Sequence, residues 1–586
     1  MLLTEAGLRL CGYGYSTDFF RPGRLNGREV LMENPDFARR FFPAGLVRTA
    51  QPFVVPAVKP RGTIRIFVFG ESAAMGDPDF KFGLPPMLEV LLREHCPANH
   101  FEVVNAAVVA IDSHIVLPIA RDCARQHGDL WVIYMGNNEA VGPFGSASVF
   151  GTRAPPLWIV RGELWLRSLR LSQLMEKGLQ AVRHRAPREW GGMEMMAQQR
   201  VPSNSAANRR VRRHFEKNLN DLLEIGTRAG VPIVLCTVPT NLRECPPFAS
   251  VHRPDLTEAQ LSDWRAAFAK GVAAQSARNY EQARTAYECA REIDNQFAEL
   301  TFRVAQCHEF LFGPADASKY YIQARDQDAL QFRTDGPINA LIRQTAGAFT
   351  ARGVHLLDAE TLFSNQSGTS LPGAQYFYEH VHLTPEGNYL LARAVAEQAS
   401  AALNLADTRP WLSQSECFDQ LGFTDWNRYD ALNTILERID RAPFTQQCDH
   451  QQQKQRIIDE MARYRLATKP AQVRQQAAKV TQLAALHPDN PNLQWNAAAL
   501  LQDAGDLSGA QRHWEALMQL QPQSALPVYN MGRLLESAGR MEEARHMFRE
   551  ALRINPEYKP AKEELRRMSA PGTAKGTHAQ SSQKAE

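Results

Sequence analysis

Ser72 sits in the run Phe69-Gly70-Glu71-Ser72, directly after a short apolar stretch. A serine hydroxyl is a weak nucleophile and needs a base within hydrogen-bond reach. The sequence offers that base far away, in Phe377-Tyr378-Glu379-His380-Val381-His382-Leu383-Thr384-Pro385. Thr384 suits a helix N-cap and Pro385 a first helical position, so His382 falls on the loop just before a helix. In a compact turn, the three-residue step from Glu379 to His382 lets the carboxylate meet one imidazole nitrogen while the other faces the serine. His380 is the competing base. Two further loops could stabilise a developing oxyanion: Gly136-Asn137-Asn138-Glu139 through a side-chain amide, and Asn105-Ala106-Ala107 through backbone N–H groups. Each piece also has a plainer reading, as a capping serine, solvated loop histidines or an Asx-turn. Together they are far more specific than apart.

These residues need elements to hold them. Apolar, β-branched runs at 65–69, 101–104, 130–135, 231–236 and 353–357 predict five strands. Amphipathic stretches at 84–95, 113–127 and 206–229 predict helices between them. Continuous apolar strands alternating with helices imply an α/β doubly wound, parallel five-stranded sheet, with ligand chemistry at the carboxyl ends of its strands. Ser72, Asn138, Ala107 and the 379–382 turn all fall at that edge. Arg243, in the loop after the fourth strand, is a further neighbour there, with a structural ion pair as its plainer role.

The gap before the fifth strand contains a repeat. Tyr287 and Tyr321, Ala290 and Ala324, Arg291 and Arg325, and Asp294 and Asp328 are all spaced by 34. A second set is clearer: Gly505 and Gly539, Ala510 and Ala544, and Pro488, Pro522 and Pro556 keep the same period. A 34-residue period with small residues in register predicts tetratricopeptide helical hairpins. The predicted organisation is an N-terminal segment at 1–59, the α/β unit at 60–262 and 334–406, inserted repeats at 263–333, a helical linker at 407–470, C-terminal repeats at 471–568 and a disordered tail at 569–586. Trp411 and Trp426, in the linker, read as packing anchors.

Composition excludes several classes. The chain has 586 residues and a formal net charge of +3, with no basic block to suit nucleic acid. Nine scattered cysteines without a CxxC pair argue against zinc or a disulfide framework. No apolar run reaches the roughly 20 residues of a membrane span. The first residues, Met1 to Leu10, suit either a short surface helix or the end of a membrane-anchoring one.

The motifs together resemble the SGNH/GDSL hydrolase family, over about 60–262 and 334–405. Gly70-Glu71-Ser72 resembles its first block, Gly136-Asn137-Asn138-Glu139 the block that carries the asparagine, and Glu379 with His382 the block that carries the histidine. The resemblance implies a flavodoxin-like sheet of the SGNH type. It implies Ser72 as nucleophile, His382 as base and Glu379 as its orienting acid. The N–H groups of Ser72 and Ala107 and the Asn138 amide would be the oxyanion donors, with no metal or cofactor. Glu71 and Glu379 each replace an Asp, and Ala107 a Gly. The change at 71 is expected to affect turn geometry, that at 107 to narrow the acyl pocket.

The whole chain is similar to bacterial proteins that join this domain to tetratricopeptide repeats. The expected function is ester hydrolysis, of an O-acetyl or other acyl group on a carbohydrate or lipid, with the repeats binding a protein or peptide. The alternatives are an O-acyltransferase on the same site, or an interaction scaffold whose hydrolase domain is inactive. Nucleic acid is not an expected partner. Localisation is cytoplasmic on the sequence as it stands, or membrane-anchored and extracytoplasmic if an anchor precedes it. In the proteins of this resemblance a membrane helix often precedes the segment resembling Leu8 to Gly14.

Overall fold

The computed structural model describes residues 2–43, 45–183, 190–406 and 408–569. Three strands, β1 (Phe20–Leu25), β2 (Arg28–Glu33) and β3 (Val54–Pro56), form a small antiparallel sheet. Five more form the main sheet: β4 (Thr63–Gly70), β5 (His100–Asn105), β6 (Leu130–Tyr134), β7 (Ile233–Cys236) and β8 (Val354–Leu357). They are all parallel, in the order β5-β4-β6-β7-β8. Numbered within the sheet, that is 2-1-3-4-5, the flavodoxin-like order, whose switch point lies between the first and third strands. Ile66 to Phe69 and all of β6 and β7 are buried, because helices cover both faces. The predicted strands are therefore present. The helix expected over 113–127 stops at Cys123, and the backbone turns out of helical geometry at His127, where φ is 53°.

Gly70 ends β4 where the chain must bend towards Ser72. A Cβ there would lie 2.1 Å from the Tyr134 carbonyl oxygen and 2.5 Å from Ala74 Cβ. Only a glycine lets the strand end approach β6 this closely.

The inserted segment forms four helices, Glu258–Ser276, Tyr280–Ile293, Ala298–Phe312 and Pro314–Gln327, so it begins a few residues before the expected 263. The alanines that marked the period, Ala290 and Ala324, are fully buried, as are Ala510 and Ala544 in the second set. Small side chains are needed there because paired helices approach closely. The C-terminal helices, from Pro470–Leu486 to Lys559–Ser569, have their own core around Trp514, Tyr529 and Phe548. Residues of the expected tail from 570 onward lie outside the described residues, and Ser569 closes the last helix.

The expected linker is helical, with Gln414–Leu421, Asp425–Ile439 and His450–Tyr464. Cys417, Ile435 and Ile457 nevertheless share the core of the main sheet. Both tryptophans are anchors: Trp411 stacks on His95 at 3.5 Å, and Trp426 donates from Nε1 to Asp503 at 2.8 Å. The C-terminal helices also reach back to the small sheet, where the Gln523 amide donates to Glu33 at 3.0 Å and to the Phe53 carbonyl at 3.1 Å. At the start of the chain, Leu2–Leu10 is a helix, held where Glu5 accepts from the N–H groups of Arg170 and Leu171. No helix among the described residues is long and apolar enough to cross a membrane.

Gly70→Ala is expected to lower stability by about 3 kcal/mol, the upper range for forcing a methyl group into a packed interior. Urea unfolding followed by circular dichroism measures it, as a midpoint shifted to lower denaturant.

Candidate active site

Ser72 opens a one-turn helix, Ser72–Met75, at the carboxyl end of β4. The first N–H groups of any helix lack intrahelical acceptors, so this turn presents donors beside the hydroxyl. The preceding Glu71 is buried and accepts the N–H groups of Gly136 (3.2 Å), Asn137 (2.9 Å) and Asn138 (3.2 Å). Glu71 thus does more than shape a turn: its carboxyl group ties the loop after β6 to the loop after β4. Burial, together with the nearby Glu139, pushes the Glu71 carboxyl up to about 8.

His382 reaches the same edge from the other end of the domain. Its turn is closed by the Tyr378 N–H donating to the His382 carbonyl at 2.9 Å and by a bridge between Phe377 and Leu383. Thr384 caps the helix Pro385–Ala402, accepting from Gly387 N–H at 3.1 Å. Asn241, after β7, pins the turn to the sheet, its amide donating to the Glu379 carbonyl at 2.7 Å and its N–H to the His380 carbonyl at 3.0 Å.

His382 Nε2 lies 2.8 Å from Ser72 Oγ. Nδ1 of the same ring bonds Glu379 Oε1. The other carboxylate oxygen accepts from the N–H groups of His380 and Val381. Burial opposes ionisation of Glu379, but the two histidines beside it outweigh burial and hold its carboxyl well below the usual range. His380 is packed edge-on against Phe248 and Phe444 and pairs with Glu379, so it does not compete for the serine.

The Ala107 N–H donates to Asn105 Oδ1 at 3.3 Å, a long bond to a side chain whose own amide donates to the Met75 carbonyl at 3.0 Å. Asn138 is half-buried, and among the described residues its side-chain amide has no hydrogen-bond partner. Arg243 pairs with Glu309 at 2.7 Å, tying its loop to the inserted helices.

Two residues at this site were not singled out from the sequence. Asp77 Oδ2 is 3.0 Å from His382 Nε2. Arg438, on Asp425–Ile439, holds that carboxylate through Nη2 to Oδ1 (2.9 Å) and Nη1 to Oδ2 (2.8 Å), and its Nη1 is 3.0 Å from His382 Nδ1. Asp77 follows Ser72 closely enough to have been suspected. Nothing in the sequence around Arg438 points to the site.

Among the described residues, Glu379, His380 and His382 are the one group of three whose potential metal-ligand atoms all lie within 4.8 Å of one another. Both Glu379 oxygens already accept from N–H groups of the turn or the ring, so the arrangement is that of a hydrogen-bonded relay.

Beneath the loops lies a buried acidic cluster. Glu139 accepts the Ser113 N–H and hydroxyl, each at 2.8 Å, and burial raises its carboxyl to about 7. Asp112 is raised well above its ordinary value by burial and by Glu139 and Glu71.

Compared with known proteins, residues 528–558 match the tetratricopeptide repeat family. No curated protein matches the chain. Similar solved structures include YrrB, described as a TPR protein with an unusual peptide-binding site, at 12% identity and a TM-score of 0.17, covering 53% of this chain and 98% of that one. Pseudomonas aeruginosa pilF gives 14% and 0.16, covering 53% and 100%. Yeast Tom70 gives 11% and 0.18, covering 60% and 69%.

Glu139 keeps its proton in the fold at pH values where the unfolded chain has lost it, so stability falls as pH rises from about 4.5 towards about 7. Glu139→Gln removes this ionisation while Ser113 can still bond the amide. The variant is expected to show a flatter thermal midpoint between pH 5 and 8, read by circular dichroism. The C-terminal helices of this chain therefore contain a tetratricopeptide repeat, at 528–558.

Proposed function

We propose that the chain is a serine ester hydrolase of the SGNH/GDSL type that works through an acyl-enzyme on Ser72. The observation that carries this reading is the hydrogen-bonded line from Ser72 Oγ to His382 Nε2, 2.8 Å, continued from Nδ1 to a buried carboxylate. The 2-1-3-4-5 strand order, with these groups at its carboxyl edge, supports the same reading.

In the reaction, Ser72 Oγ attacks the ester carbonyl carbon as its proton passes to His382 Nε2. Glu379 keeps Nδ1–H directed at itself and so orients the ring and favours the imidazolium that forms. Charge on the carbonyl oxygen is taken up by the N–H groups of Ser72 and Ala107 and by the Asn138 amide. For Ala107 this means exchanging its long bond to Asn105 for the oxyanion. The imidazolium returns its proton to the departing alcohol. Water then gives a proton to His382 and attacks the acyl carbon; the bond to Ser72 Oγ breaks as the imidazolium returns its proton to that oxygen, and the acid is released. The reaction needs no cofactor beyond these groups.

The repeats fit protein or peptide binding, because stacked helical hairpins present a continuous concave surface. In this reading they bring the hydrolase to a partner or to its acylated substrate.

Ser72→Ala is expected to cut hydrolysis of p-nitrophenyl acetate by at least about 10³-fold while circular dichroism is unchanged. Turnover equal to the parent protein would overturn the reading. Glu379→Gln is expected to cost about 10²-fold or more in kcat with little change in KM, since it removes an interaction that strengthens only as the imidazolium forms.

A further inference from the structure

His382 Nε2 has two partners and can carry only one proton. Ser72 Oγ stands at 2.8 Å and Asp77 Oδ2 at 3.0 Å. When Nε2 keeps a proton and donates it in a hydrogen bond to Asp77, it has no lone pair for the serine proton. With Nδ1–H on Glu379, that ring is an imidazolium held between two carboxylates. Loss of the Nε2 proton to solvent leaves a neutral ring whose lone pair can accept from Ser72. Asp77 is not free to leave, because Arg438 grips both of its oxygens. The helix that carries Arg438 is fixed at its other end to the C-terminal repeats, through Trp426 to Asp503 and Asn427 to Asn496, each 2.8 Å. The loop that carries Asp77 is seated on the same repeats, with Phe80 edge-on to Trp495 at 5.3 Å.

We infer that Asp77 is a positioning residue of this site: clamped by Arg438, it competes with Ser72 for His382 Nε2 and sets the pH range in which the histidine can act as a base. The inference rests on the Ser72–His382 reading above. The charged and titratable groups around the ring are Glu379 and His380 on its own turn, Asp77 on the loop after the serine, and Arg438 from the adjoining helix, with Arg333 beyond His380. Burial favours the neutral ring, but Glu379 and Asp77 outweigh it and raise His382 to about 9. The ring is therefore protonated at neutral pH, and its base form grows in as pH rises towards about 9.

The test uses the full chain with 13C-labelled histidine, His382 being assigned by its loss in His382→Gln. Asp77→Asn is expected to lower the His382 titration midpoint by at least one pH unit. That makes the base form at pH 7 about tenfold more populated. Fluorophosphonate labelling of Ser72 at pH 7 should rise by a similar factor, with its acid limb moved down. Asp77→Ser serves if the amide variant does not fold. A midpoint unmoved in the folded variant overturns the inference. A midpoint that moves while neither protein is labelled at any pH upholds the role of Asp77 at His382 and overturns Ser72 as the nucleophile.

Discussion

All five strands of the main sheet run the same way, so every loop that follows a strand emerges at one edge. That constraint brings together groups hundreds of residues apart. Glu71 and Ser72 follow β4, Asn105 ends β5 with Ala107 just beyond it, Asn137 and Asn138 follow β6, and Asn241 follows β7. The 379–382 turn comes after β8 and a short helix, and is drawn in by the Asn241 hydrogen bonds. The loops are joined to one another by buried polar groups as well as by the apolar packing of a shared core. A buried carboxylate that accepts three N–H groups fixes backbone direction in a way that side-chain packing does not, and Glu71 does this between the first and third loops.

Such an edge carries a stability cost. Glu71, Glu139 and Asp112 are acids held together in low dielectric, and each is shifted towards its protonated form. At the turn the balance is reversed, because the histidines and Arg438 supply positive charge and Glu379 and Asp77 stay ionised. The site is thus built from two sets of acids of opposite tendency. Burial dominates the first, and specific charge partners dominate the second.

The helical segments complete the site from outside the sheet. The Asp425–Ile439 helix buries Ile435 and Ile439 in the sheet's core, which brings Arg438 to the histidine. The loop after Ser72 lies between this helix, whose Arg438 grips Asp77, and the repeats, with Phe82 against Phe423 just before the helix and Phe80 against Trp495. The repeats are therefore in contact with the residues that surround the serine.

Much of this was legible in the sequence because it rests on local patterns. Apolar strand runs, the Thr384-Pro385 helix start and the 34-residue register of alanines each follow from backbone geometry or close helix packing within a few residues. The Glu379 to His382 spacing was legible for the same reason, since a single turn joins them. What only the tertiary structure decided were relations between segments. Two histidines stood within three residues of Glu379 in the sequence, and packing sent His380 among phenylalanine rings and His382 to the serine. Glu71 looked like a small variation of a turn until its carboxylate was seen to hold a loop 65 residues away. Arg438 carries no local signature at all. A guanidinium on an amphipathic helix is ordinary, and it becomes part of a site only when the apolar face of that helix packs on the core and its charged side meets Asp77.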